Sequence, residues 1–151
     1  MFRRSAGAAA SVALLALTAC SSGPLVTTQS CIDWVYFETP AAAVEEADAV
    51  AIGRLGDEVD PTTYMGMRAS RWNVEVDEWQ KGAGGSEIVV TSLPRSCGDE
   101  TESFDEFRDA DAVVLFLRDD ADGWHVITPH QGLVLPGPDG GIPSEWPAEQ
   151  G

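Results

Sequence analysis

The sequence predicts a mainly β protein, a small β-barrel or sandwich of five or six strands with one or two short α-helices. Three observations carry this. Residues 71–79, RWNVEVDEW, alternate strictly, with Trp72, Val74 and Val76 on one side and Arg71, Asn73, Glu75 and Asp77 on the other. A strand with one wet face belongs to an antiparallel sheet. Residues 87–93, EIVVTSL, and 111–128, DAVVLFLRDDADGWHVIT, add apolar runs punctuated by turn residues. The helical pattern is confined to one short stretch, 39–49.

In chain order, TPAAAVEEADA offers Thr39 as N-cap and Pro40 at the first helical position, where its missing N–H costs nothing. AVAIGRL then takes strand character, placing Val50 and Ile52 on one side and Ala51, Gly53 and Leu55 on the other. DEVDPTTYMGM is expected to be a loop or excursion around Pro61. After the 71–79 strand, GAGG at 82–85 marks a turn, EIVVTSL a further strand, and 111–128 a hairpin turning at Asp119 to Gly123. Residues 136–151 carry four prolines and four glycines and are expected to form an irregular tail, with Trp146 as its anchor to the domain. The domain itself is expected to occupy 31–135.

The first twenty residues obey a different logic. MFRRSAGAAASVALLALTAC opens with Arg3 and Arg4, continues through an apolar run and closes on small residues, the layout of an export signal. The run is shorter than the roughly 20 apolar residues a membrane span needs. Leu17, Thr18, Ala19 and Cys20 resemble the lipobox of bacterial lipoproteins. That resemblance implies a signal peptide over 1–19, cleavage before Cys20, and a diacylglyceryl thioether on the Cys20 sulfur. The other reading is an ordinary secretory signal with an incidental cysteine. Two acyl chains, at about 0.8 kcal/mol per buried methylene, hold a protein stably. The expected location is therefore the extracytoplasmic face of the cell membrane, with 20–30 as lipidated N-terminus and tether; its ten residues after Cys20 span about 17 Å as a flexible coil.

Charge narrows the partners. Losing Arg3 and Arg4 with the leader takes the formal net charge from -16 to -18. Nucleic-acid binding rests on Lys and Arg neutralising phosphates, so no DNA or RNA role is expected. Adhesion to an anionic lipid surface by charge is disfavoured for the same reason. With 44% of residues hydrophobic and five tryptophans, the chain can still bury a core despite that charge.

The order of the pieces resembles the netrin-like fold, an oligosaccharide/oligonucleotide-binding (OB) barrel found in tissue inhibitors of metalloproteases. The matching residues are Cys31 before a short helix, ADAVAIG at 47–53, the strand from Trp72 to Val76 with Lys81 and Gly82 after it, Ile88 to Thr91 leading to Cys97 and Gly98, and the strand from Ala112 to Leu117. Small actinobacterial lipoproteins show a similar arrangement, and the Ala, Gly and Asp bias suits such a source. With Cys20 given to lipid, Cys31 and Cys97 remain as a pair in an oxidising setting, and a disulfide between them is expected, two free thiols being the alternative. In the chain-entropy model it would constrain the unfolded state by about 4 kcal/mol.

Reaction chemistry finds little purchase. His125 and His130 are the only histidines, and neither an HExxH nor a GxSxG pattern is present, so no catalytic residue, metal site or cofactor is expected. Asp119 to Gly123, DDADG, is explained as a turn and lacks the closing glutamate of an EF-hand loop. The acids from Asp99 to Glu106 are expected to be a solvated loop. Trp34, Tyr36 and Phe37 follow Cys31 closely, and two readings stand for them: a candidate aromatic binding face, or packing of the helix on the barrel. The expected function is a lipid-anchored, non-enzymatic interaction module with a protein partner. The alternative is an inhibitor of an extracytoplasmic protease. The metalloprotease inhibitors begin with a CxC whose first amino group meets the catalytic zinc, whereas Cys31 here is followed by Ile32 and Asp33, so that mechanism does not transfer.

Overall fold

A computed structural model describes residues 31–95 and 103–148. The expected leader, Cys20, the tether and Cys97 lie outside them. Among the described residues, helix α1 (Pro40–Glu46) is followed by strands β1 (Ala49–Tyr64), β2 (Met67–Lys81) and β3 (Glu87–Ser92), helix α2 (Ser103–Glu106), and strands β4 (Val113–Asp120), β5 (Gly123–Val126) and β6 (Leu133–Val134). The fold is mainly β, as the alternation predicts. Helix α1 starts where expected: the Thr39 side chain accepts from the Ala42 N–H at 3.2 Å, with Pro40 in the first turn.

The strands bond in a ring, β1-β2-β3-β5-β4 and back to β1, with β6 added on β4. Most pairings are antiparallel, but β3 and β5 meet in parallel through Val90 with Trp124 and Thr91 with His125, which corrects the expectation of a purely antiparallel sheet. A parallel neighbour needs a crossover, and the segment holding α2 and β4 supplies it. The register of β1 on β2 slips four times, between Val50 and Ala51, Ile52 and Gly53, Leu55 and Glu58, and Glu58 and Asp60. Such bulges sharpen the twist that lets long strands wrap a small barrel.

Two expectations fail locally. Pro61 does not break the chain: β1 continues through it to Tyr64, with Pro61 opposite Ser70. Strand β4 covers β1 only from Ala49 to Gly53, so Pro61 lies where one edge of β1 is open and its missing N–H interrupts no ladder. The expected solvated loop around Asp105 and Glu106 is instead one turn of helix, fixed because Phe104 is fully buried and tilted onto Trp72 at 5.9 Å between ring centroids.

The core has two parts. Ala49, Ala51, Trp72, Val74, Val76, Val90, Val113, Leu115, Leu117 and Val126 fill the barrel together with Phe104, which packs on Trp72. On the outer face of β1 and β4, Val50, Ile52, Val114 and Phe116 form a second cluster under α1 and the C-terminal segment. The two faces of β1 are divided as the sequence alternation requires, and AVAI and VVLFL are continuously apolar because both of their faces are covered. Trp146 sets its ring edge-on to Phe116 at 5.7 Å and donates to the Phe37 carbonyl at 2.8 Å, holding residues 136–148 against this face.

Candidate functional site

The N-terminal segment is strapped to the barrel before α1 begins. Cys31 is disulfide-bonded, and Cys97, its expected partner, lies outside the described residues. Trp34 donates through Nε1 to the Pro94 carbonyl at 3.1 Å and stacks on Tyr64, ring centroids 6.1 Å apart. The Phe37 backbone is held by the carboxamide of the fully buried Gln131, whose Oε1 accepts from the Phe37 N–H at 2.7 Å while Nε2 donates to the Phe37 carbonyl at 2.9 Å. The three aromatic residues are thus separated. Trp34 packs on the barrel core, Phe37 on the outer cluster, and Tyr36 is left 55% exposed with Val35 beside it. They do not form one continuous exposed face.

A different surface is concave. Where β1 bulges after Leu55, the outer faces of β1, β2 and β3 enclose a hollow of about 400 Å³ bordered by Gly56 and Asp57, Asn73 and Glu75, and Glu87 and Val89. Gly56 deepens it, since a Cβ there would sit 3.2 Å from the Asn73 Cβ. Val89 is 41% exposed, an apolar side chain among carboxylates. Two neighbouring cations are both shared with acids outside the hollow: Arg54 reaches Glu75 at 3.0 Å and Asp77 at 3.3 Å, and Arg108, which interacts electrostatically with Asp57, is hydrogen-bonded to Asp105. Asp57, Glu75 and Glu87 thus face two guanidiniums that are each divided with a further acid, Asp77 or Asp105, so the hollow carries a negative field suited to a cation.

Alternation along β2 places Asn73 and Glu75 on a wet face but does not reveal the hollow. The available signal was Val89, the middle residue of the apolar triplet IVV, since alternation requires that one of three consecutive apolar residues face out.

A second grouping was also missed. His125 is buried, 7% exposed, with Nε2 3.1 Å from Asp120 Oδ2 and Nδ1 2.9 Å from the Val126 carbonyl. Tyr64 covers the ring at 5.4 Å between centroids. His130 is exposed and apart in sequence from this cluster. Among the described residues no group of three His, Cys, Asp or Glu side chains could hold a metal ion, and no helix is long and apolar enough to cross a membrane. No protein-family model, no curated protein and no solved structure matches this chain.

Proposed function

We propose that this protein is a lipid-anchored, extracytoplasmic interaction module without enzymatic activity, whose concave β1-β2-β3 face receives a positively charged segment of a protein partner. The observation that carries the reading is the hollow itself: Asp57, Glu75 and Glu87 around a half-exposed Val89. A lysine or arginine side chain could place its charge among the carboxylates and its methylene stem on Val89. The ring order β1-β2-β3-β5-β4 supports the resemblance to a netrin-like OB barrel. The lipobox resemblance at Leu17 to Cys20 supports the anchor and the compartment, and the compartment supports pairing of Cys31 with Cys97.

The binding face is tested with a photo-crosslinking residue at position 89 in the intact membrane-bound protein, and a control at position 80 on the opposite part of β2. A discrete adduct at 89 alone, lost when Glu75 and Glu87 are changed to Lys, supports the reading. Equal labelling at both positions, or none at 89, overturns it. If the adduct partner is a protease whose turnover the protein blocks, the inhibitor reading replaces it. Cys20→Ala should release the protein from the membrane fraction and abolish lipid labelling, and retention with the label intact would defeat the anchor.

A further inference from the structure

The β1-β2 hairpin ends on an apolar tip that the core does not use. Thr62, Thr63 and Tyr64 pair with Ala69, Arg68 and Met67, and these last rungs lie beyond the pairing of β1 with β4 and of β2 with β3. Met65 takes φ of 50° in the turn and is largely exposed, so it adopts a left-handed conformation without burying its side chain. Apart from Met1, Met65 and Met67 are the only methionines of the chain. A thioether side chain is apolar, unbranched and adaptable, which suits contact with a surface of no fixed shape.

The negative charge of the chain is interrupted here. No acid stands between Asp60 and Glu75, a stretch that holds Arg68 and Arg71, and Asp60 is itself bound by Arg71. Arg68 is exposed, opposite Thr63. In a chain of 25 acids and 9 bases, the tip is spared the charge that disfavours lipid surfaces elsewhere.

The tip also lies beside the point where the chain enters the barrel. Trp34 stacks on Tyr64 and donates to the Pro94 carbonyl, and Cys31, three residues earlier, is disulfide-bonded. Val35, next to Trp34, is exposed. Ten residues separate Cys20 from Cys31, so a lipid on Cys20 lies within about 40 Å of Cys31 even with the chain fully extended. The end of the molecule that carries Met65 is therefore the end held nearest the bilayer. Exposed Asp33 lies on the same segment, which favours a zwitterionic surface over an anionic one.

We infer that the hairpin tip is a second membrane contact, which rests on the reading of Cys20 as the lipid anchor. Met65 enters the headgroup boundary, and Arg68 lays its methylenes along it with the guanidinium on lipid phosphates. One methionine and one arginine are too small a patch to hold a free protein on lipid. Tethering makes the contact intramolecular, so a weak patch suffices. Docking also fixes which way the barrel stands. Asn73, at the rim of the acidic hollow, is six residues from Met67, about 20 Å along β2, so the hollow is held clear of the headgroups and open to a partner.

The test uses the full chain, exported, lipidated and reconstituted in phosphatidylcholine vesicles, against the Cys20→Ala chain mixed with the same vesicles. The probe is periodate, a lipid-impermeant anion that oxidises methionine to the sulfoxide, read at Met65 by mass spectrometry. In the anchored protein Met65 should react on the order of tenfold more slowly than in the detached chain, the ratio for a contact made about nine-tenths of the time. Arg68→Glu, a change on an exposed side chain, should return the anchored protein to the detached rate. The protection should not vary with the ratio of protein to lipid. Lipidated, vesicle-bound protein whose Met65 reacts at the detached rate overturns the docking and leaves the anchor standing. Protein that carries no lipid overturns the anchor and the docking with it. Protection that survives Arg68→Glu shows that lipid merely shadows the barrel, and protection that falls on dilution assigns the tip to a second copy of the chain; either overturns the docking.

Discussion

Lys81 ends β2 by placing its ammonium over the last turn of α1, where Nζ donates to the carbonyls of Val44, Glu45 and Ala47 at 2.7, 3.2 and 2.5 Å. A helix of two turns leaves its final carbonyls without partners, and this one side chain satisfies them while opposing the negative helix end. Gly82 follows with φ of 73° and packs so closely on Ala49 that a Cβ would fall 2.9 Å from the alanine methyl. Lys81→Met keeps the stem and removes the donors; it should cost about 1–3 kcal/mol in a chemical denaturation measurement. Arg71 shows the exposed counterpart, gripping Asp60 with Nε at 2.8 Å and a second N–H on the other oxygen. Those hydrogen bonds hold the Asp60 carboxyl below the usual carboxylate range. A depressed carboxyl stabilises the fold above its unfolded value and loses that contribution as pH falls through the folded one. Arg71→Met should let the Asp60 carboxyl rise back toward the ordinary carboxylate range in an NMR titration, and an unmoved carboxyl would show that the pair does not set it.

Among elements, the β1-β2 ribbon shows most clearly how tertiary context overrides local signals. YMGM was expected to belong to a loop, yet it is the two-residue turn of a long hairpin, with Met65 at φ 50° and Gly66 at φ 80°. Two successive left-handed residues define the hairpin turn that matches strand twist, and Asn-Gly is its favoured sequence. Met65 is 73% exposed and gains no burial to offset that conformation. Met65→Asn is therefore expected to raise stability by about 0.5–1 kcal/mol, seen as a higher thermal midpoint with unchanged circular dichroism. No Asn-Gly or Asp-Gly stood at this turn to signal it. At the β4-β5 turn, by contrast, Asp122-Gly123 was visible, and the hairpin lies there.

At the scale of the whole molecule, closure of the ring depends on β1 lying between β2 and β4 from Ala49 to Gly53. Gly53 is where the backbones press hardest: a Cβ would come 2.2 Å from the Glu75 carbonyl oxygen. Gly53→Ala must push main chain against main chain and is expected to cost about 3 kcal/mol, whereas Gly140→Ala, in the tail with no neighbour within 4 Å, should leave the barrel pairing intact. A collapse of both variants, or of neither, in amide exchange of β1 would contradict this account of closure.

What the sequence determined by itself was local and periodic. Alternation at Trp72, Val74 and Val76 set a strand and its inner face, Thr39 and Pro40 set the start of α1, and Asp122-Gly123 set a turn, because each depends on neighbours within a few residues. Tertiary structure decided the rest. Whether Pro61 could stay in a strand depended on the edge left open by β4, and whether Phe104 could fold a turn of helix depended on Trp72 arriving from β2. The acidic hollow and the His125 cluster were equally out of reach, since each gathers residues from strands far apart in the chain. Spacing along a sequence reports which way a side chain faces, and only closure of the ring brings distant side chains face to face.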